Sequence, residues 1–140
     1  MTLTTKTPSV LFVCSKNGGK SQLAAGLMNQ LANGTVTVHS AGTKPGTSLN
    51  PQSVDSLAEL GIDITREHPK PVTDEVLNAV DVVIVLGNEA KVEAPEGKRI
   101  EVWDTDEPSA RGIEGMERMR LVRDEIKARV QRLYTELAGN

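Results

Sequence analysis

The sequence predicts an α/β domain of three layers, a four-stranded parallel sheet with helices on both faces. Three observations lead there. Strand-type and helix-type patterns alternate along the 140 residues, the order expected of a parallel sheet flanked by helices. Ser9 to Val13 and Val80 to Leu86 are continuous apolar runs, as strands covered on both faces require. Helix-type segments carry apolar residues three and four apart, enough for one buried face each.

Ser9 to Val13 reads as the first strand. The following helix has Ser21 as an expected N-cap, Leu23, Ala24, Leu27, Met28 and Leu31 as its apolar face, and Asn33-Gly34 as its stop signal. Thr35 to His39, rich in Val and Thr, suits a second strand. Gly42 to Pro51 is a loop, Gln52 to Leu60 a helix closed by Gly61, and Thr73 to Ala79 a shorter helix. Val80 to Leu86 gives the third strand and Ile100 to Trp103 the fourth. Met119, Val122, Ile126, Val130, Leu133 and Leu137 stripe one face of a final helix. Residues 1–8 are expected to form a disordered tail before a single domain spanning 9–140.

Composition excludes several classes of function. A net charge of −3 offers no basic stripe for nucleic acid. No apolar run approaches the ~18 residues of a membrane span, and the first residues lack the apolar segment of a signal peptide. The single cysteine rules out an intrachain disulfide and a cysteine-rich metal site. A free thiol suits the reducing cytoplasm. His39 and His68 are too few and too far apart to hold a metal, so none is expected.

Chemistry concentrates between Cys14 and Ser21. The run Cys14-Ser15-Lys16-Asn17-Gly18-Gly19-Lys20-Ser21 starts where an apolar strand stops and ends where a helix begins. Its glycines allow the backbone to curl with N–H groups inward, and the helix N-terminus adds roughly half a positive charge. Lys20 adds a full charge, Asn17 can brace the loop from within, and Ser21 can donate to the sulfur. The expected site therefore binds a tetrahedral oxyanion beneath which Cys14 stands as a nucleophile, just beyond the carboxyl end of a parallel strand. A nucleotide P-loop is a poor match, because its first glycine would fall at Cys14.

A cysteine, five residues, a basic residue and a serine at a strand end resemble the phosphate loop of low-molecular-weight protein tyrosine phosphatases and the arsenate reductases built on their fold. His39-Ser40-Ala41-Gly42-Thr43, Asn50-Pro51 and Trp103-Asp104-Thr105-Asp106-Glu107-Pro108 resemble further segments of that family. The resemblance implies that Ser40 and Asn50 support the loop through Asn17. It also implies that the acid before proline donates a proton: Glu107 by register, or Asp106, since aspartate is the usual residue there. Asp104 is read as a surface residue. Two departures narrow the reading. Lysine at position 20 gives a point charge where the phosphatases have an arginine fork. One Tyr, one Phe and one Trp leave little to wall a phosphotyrosine ring.

The single-cysteine form of the loop, together with Gly115 to Arg120 and Val122-Arg123-Asp124, resembles actinobacterial arsenate–mycothiol transferases. That resemblance implies mycothiol as thiol co-substrate, mycoredoxin as reducing partner, and arsenic detoxification as the role. One thiol alone cannot close a disulfide and must borrow reducing equivalents from another. The expected sequence has amides of residues 15–20 and Lys20 holding arsenate, Cys14 engaging arsenic, and mycothiol capturing it, either from an enzyme adduct or directly. Lys16 is expected to be solvated, or to meet an acidic group of the incoming thiol. The alternatives are a low-molecular-weight phosphatase and a non-catalytic oxyanion-binding module.

Overall fold

The computed structural model describes residues 7–138. Its four strands are β1 (Ser9–Cys14), β2 (Thr37–Gly42), β3 (Val82–Leu86) and β4 (Arg99–Trp103). Its four α-helices are α1 (Lys20–Ala32), α2 (Pro51–Ala58), α3 (Asp74–Ala79) and α4 (Gly115–Ala138). All strand pairs are parallel, in the order β2-β1-β3-β4. The predicted α/β architecture is therefore present, with helices on both faces.

Alternation along β1 explains the layering. Val10 and Phe12 point into the larger apolar cluster with Leu23, Leu27 and Met28 of α1, Leu57 of α2 and Ile126 of α4. Leu11 and Val13 point to the opposite face, against Leu77 and Val80 at α3. Both central strands are buried along their whole length, which is why they read as unbroken apolar runs rather than alternating ones. Phe12 and Trp103 meet at 5.9 Å between ring centroids inside the larger cluster.

Several boundaries differ from the sequence-based expectation. β2 runs to Gly42, pairing Ser40, Ala41 and Gly42 with Phe12, Val13 and Cys14. The low strand propensity of Ser-Ala-Gly hid this extension, which burial beside β1 enforces. Thr35 lies instead in the turn after α1, where its backbone N–H and its hydroxyl both donate to the Ala32 carbonyl. Asn50 caps α2 by accepting from Gln52 N at 2.8 Å, and Thr73 caps α3. A short 3-10 turn at Pro108–Arg111 precedes α4. Residues 1–6 of the expected tail lie outside those described, whereas the Pro8 carbonyl already accepts from Thr37 N at 2.8 Å.

From β1 the chain passes out to β2 on one side, and β3 then starts the other side. That reversal opens a crevice at the carboxyl ends of β1 and β3. Cys14 and Leu86, the last residues of these two strands, both line it.

Candidate active site

The loop after β1 curls through a left-handed residue. Asn17 has φ +54° and is fully buried. Neither Gly18 nor Gly19 adopts positive φ. Gly18 is needed for close approach instead, since a Cβ there would lie 2.9 Å from the Ser48 carbonyl. Gly42 has the same task from the β2 side, where a Cβ would lie 2.6 Å from the Ser15 carbonyl and 2.9 Å from Asn17 N.

Asn17 uses every polar group it has. Its N–H donates to Cys14 Sγ at 3.2 Å and its Nδ2 to Ser21 Oγ at 2.7 Å. Its Oδ1 accepts from Lys70 N at 3.0 Å, and its carbonyl accepts from Gln22 Nε2 at 3.1 Å. Left-handed backbone at a non-glycine residue is tolerated best by asparagine, and here four bonds fix it.

Ser21 is not the helix cap that the sequence suggested. Gly19 occupies the N-cap position without a side-chain bond. The Ser21 hydroxyl lies 2.9 Å from Cys14 Sγ. Because it accepts from Asn17, its own proton is free to point at the sulfur. Cys14 thus receives two hydrogen bonds, is 8% exposed and belongs to neither apolar cluster. Among the described residues, the backbone N–H groups of Ser15, Lys16, Gly18, Gly19, Lys20 and Ser21 donate to no protein acceptor. Curled at a helix N-terminus, they form a set of donors suited to an anion.

A cavity of ≈ 1110 Å³ opens above this loop. Cys14, Ser15, Lys16, Gly18, Gly19 and Lys20 form its floor. Lys44 to Pro51 make one wall, and Leu86 to Glu89 with Asp104, Thr105, Glu107 and Arg118 make the other. Lys16, Lys20 and Lys44 have no carboxylate partner among the described residues. No aromatic side chain lines the cavity. Thr105 Oγ1, on its wall, is the one buried side-chain polar atom without a partner among the described residues.

The implied support from Ser40 and Asn50 through Asn17 takes another form. Ser40 Oγ accepts from Lys70 Nζ at 3.3 Å and does not touch Asn17. Asn50 meets the loop with its backbone, donating to the Gly18 carbonyl at 2.8 Å, while its side chain caps α2. Lys70 and Gln22 do the bracing instead. Both residues escaped sequence reading, because their bonds to Asn17 use a backbone N–H and a side-chain amide that no spacing rule marks.

The two expected proton donors part company. Asp106 turns away into a two-pronged pair with Arg111, at 2.7 and 2.8 Å, and does not line the cavity. That pair holds its carboxyl below the usual range. Glu107 does line the cavity, but Arg118 grips both its oxygens, at 2.6 and 2.8 Å, and Ser109 Oγ donates at 2.9 Å. The Arg118 guanidinium beside it holds its carboxyl down to about 2. Glu107 therefore carries no proton near neutrality while so held. Asp104 is exposed, as expected of a surface residue, and also lines the same wall. Among the described residues no cluster of three or more His, Cys, Asp or Glu could hold a metal ion.

Known proteins resemble this chain in sequence and fold. Residues 9–140 match the family model described as low molecular weight phosphotyrosine protein phosphatase. Arsenate reductase 1 of Staphylococcus epidermidis is 29% identical over 88% of this chain and 92% of its own. Glutaredoxin arsenate reductase of Synechocystis is 30% identical over 92% of this chain and 98% of its own. The solved thioredoxin-dependent arsenate reductase of Corynebacterium glutamicum superposes with a TM-score of 0.81 at 32% identity. That match covers 97% of this chain, which spans only 64% of the solved one. With residues 9–140 matched by the family model, the chain belongs to the low molecular weight phosphotyrosine protein phosphatase family.

Proposed function

We propose that this protein is an arsenate reductase that transfers arsenate to mycothiol in the cytoplasm, with mycoredoxin completing the reduction. One observation carries the reading: the chain's single thiol, Cys14, lies on the floor of a loop suited to an anion, with two hydrogen bonds aimed at it. Two of the arsenate reductases it resembles are named for thioredoxin and glutaredoxin. A chain with one thiol cannot form a disulfide within itself, so the second thiol comes from outside. A cavity of ≈ 1110 Å³ leaves room for a small thiol beside the anion. Its lack of aromatic walls disfavours an aryl phosphate.

The chemistry balances as follows. Free amides of the loop and Lys20 bind arsenate, and Cys14 forms a sulfur–arsenic bond as one arsenate oxygen leaves as water. That oxygen needs a proton, for which Glu107 is the carboxyl at hand. Mycothiol thiolate then attacks arsenic and displaces Cys14, which returns to its starting form. A mycoredoxin thiolate attacks the mycothiol sulfur, the sulfur–arsenic pair of electrons stays on arsenic, and arsenic falls from the +5 to the +3 state. Arsenite leaves, and the two thiols are oxidised to a mixed disulfide.

The test is arsenite release from arsenate with mycothiol, mycoredoxin and an NADPH-linked recycling system, alongside aryl phosphate hydrolysis without thiol. Thiol-dependent arsenite release that Cys14→Ser abolishes supports the reading. Rapid aryl phosphate hydrolysis with no arsenite makes the protein a phosphatase, and oxyanion binding without either turnover makes it a binding module.

A further inference from the structure

We propose that Arg118 is a substrate-binding residue that exchanges partners between Glu107 and a tetrahedral oxyanion, so that anion capture frees Glu107 to take up the proton the departing oxygen needs. This deepens the reading above and rests on the oxyanion site at Cys14, not on the choice of thiol.

Two needs of the site point to one residue. The loop's own basic residue is Lys20, a single point charge with no fork to match two oxygens. Arg118, near the start of α4, lines the same cavity and already presents its fork to a pair of oxygens, those of Glu107. A carboxylate and a tetrahedral oxyanion offer that fork the same two-point contact. The Arg118 side chain is 23% exposed and the Glu107 side chain 41%, so the pair sits at the cavity wall rather than sealed in the core. Its long flexible stem allows the head to move without moving α4.

Glu107 gains what Arg118 gives up. Gripped by Arg118 and Ser109, it stays ionised and has no proton to give. With the guanidinium turned to a bound dianion, the same carboxyl faces negative charge and its proton affinity rises. The other charged groups around it do not reverse this. Lys16, Lys20 and Lys44 face the anion from the floor and the opposite wall, Asp104 and Glu89 add negative charge along the rim, and Arg111 is committed to Asp106. Glu114 acts on Arg118 as a further negative neighbour.

The experiment uses sulfate, a tetrahedral dianion that does not titrate in the working range, with calorimetry at pH 5.5 in buffers of different ionisation heat. Glu107→Gln should bind sulfate about threefold to tenfold more tightly, because Arg118 loses its competing partner. Arg118→Gln should bind about tenfold more weakly, and the double variant should match Arg118→Gln, since no exchange remains in it. In a Cys14→Ser background, which removes the thiol's own titration beside the anion, the protein should take up a fraction of a proton per sulfate, and the same protein with Glu107→Gln none. Thermal melts confirm folding, and Arg118→Lys, which keeps charge without the fork, should bind with intermediate affinity. A purely structural ion pair predicts otherwise. Either both single variants shift affinity in the same direction or neither shifts it, or proton uptake persists in Glu107→Gln, and any of these overturns the proposal. Sulfate binding involves neither arsenic nor thiol. A protein that shows the exchange but releases no arsenite therefore keeps this proposal and loses the arsenate reading, and the converse result does the reverse.

Discussion

Asn17 is where stability and chemistry are most tightly joined, and two substitutions there separate its contributions. Asn17→Gly removes the side-chain bonds to Ser21 Oγ at 2.7 Å and from Lys70 N at 3.0 Å while leaving φ +54° unstrained. One buried and one half-buried hydrogen bond at about 1 kcal/mol each, plus about 0.5 kcal/mol of extra chain freedom in the unfolded state, predict a loss of about 2.5 kcal/mol. Asn17→Ala loses the same bonds and keeps a Cβ in the left-handed region without the polar side chain that lets asparagine adopt it, a further cost of about 1–2 kcal/mol. It should therefore lose about 3.5 kcal/mol, and alanine should be the worse of the two although it is normally the better-tolerated residue. Urea unfolding of both variants at pH 7 measures this, with the slope compared to check that the unfolded state is unchanged. Both should also lose phosphate affinity, because the Asn17 N–H that reaches Cys14 Sγ depends on the same turn. Alanine more stable than glycine, or losses under 0.5 kcal/mol in both, would refute the reasoning.

Other consequences are as direct. Gly42→Ala places a Cβ 2.6 Å from the Ser15 carbonyl, so the loop must shift. A cost of about 1–3 kcal/mol with loss of phosphate binding in a folded protein is expected, read by urea unfolding and calorimetry. Thr105→Val removes a buried hydroxyl that has no partner, so stability should change by less than about 0.5 kcal/mol or rise, as a thermal melt will show. Acid should weaken the fold through two carboxyls. Glu59 is held at about 2 by Arg120 and Arg123, and Glu107 at about 2 by Arg118. Both pKa values are depressed from 4.5, so their contribution is complete above pH 4.5 and is lost as pH falls towards 2. Urea midpoints should be close at pH 7 and 5.5 and clearly lower at pH 2.5, with a smaller drop for Glu59→Gln.

What the sequence disclosed follows from physical range. β1 and β3 were legible because burial on both faces leaves a local mark, an unbroken apolar run. The loop was legible because its residue types lie side by side in the chain. The far end of β2 was hidden because Ser40, Ala41 and Gly42 become strand only through pairing with Phe12, Val13 and Cys14. The role of Gly42 is likewise invisible without the Ser15 carbonyl beside it. Lys70 reaches Asn17 across 53 residues, and Arg118 reaches Glu107 from another element, so neither bond has a local signature. The Arg118 grip also changes the meaning of the acid before proline. Sequence register marks it as a proton donor, whereas in the structure Arg118 grips both its oxygens and holds it ionised.

The central claim is that the one thiol shares its space with a captured oxyanion, and alkylation of that thiol tests it most directly. Iodoacetamide should add a single group at Cys14 of the folded protein, and phosphate should slow that reaction with the same concentration dependence as its binding heat. An alkylation rate unchanged at saturating phosphate would place the anion elsewhere and contradict the account.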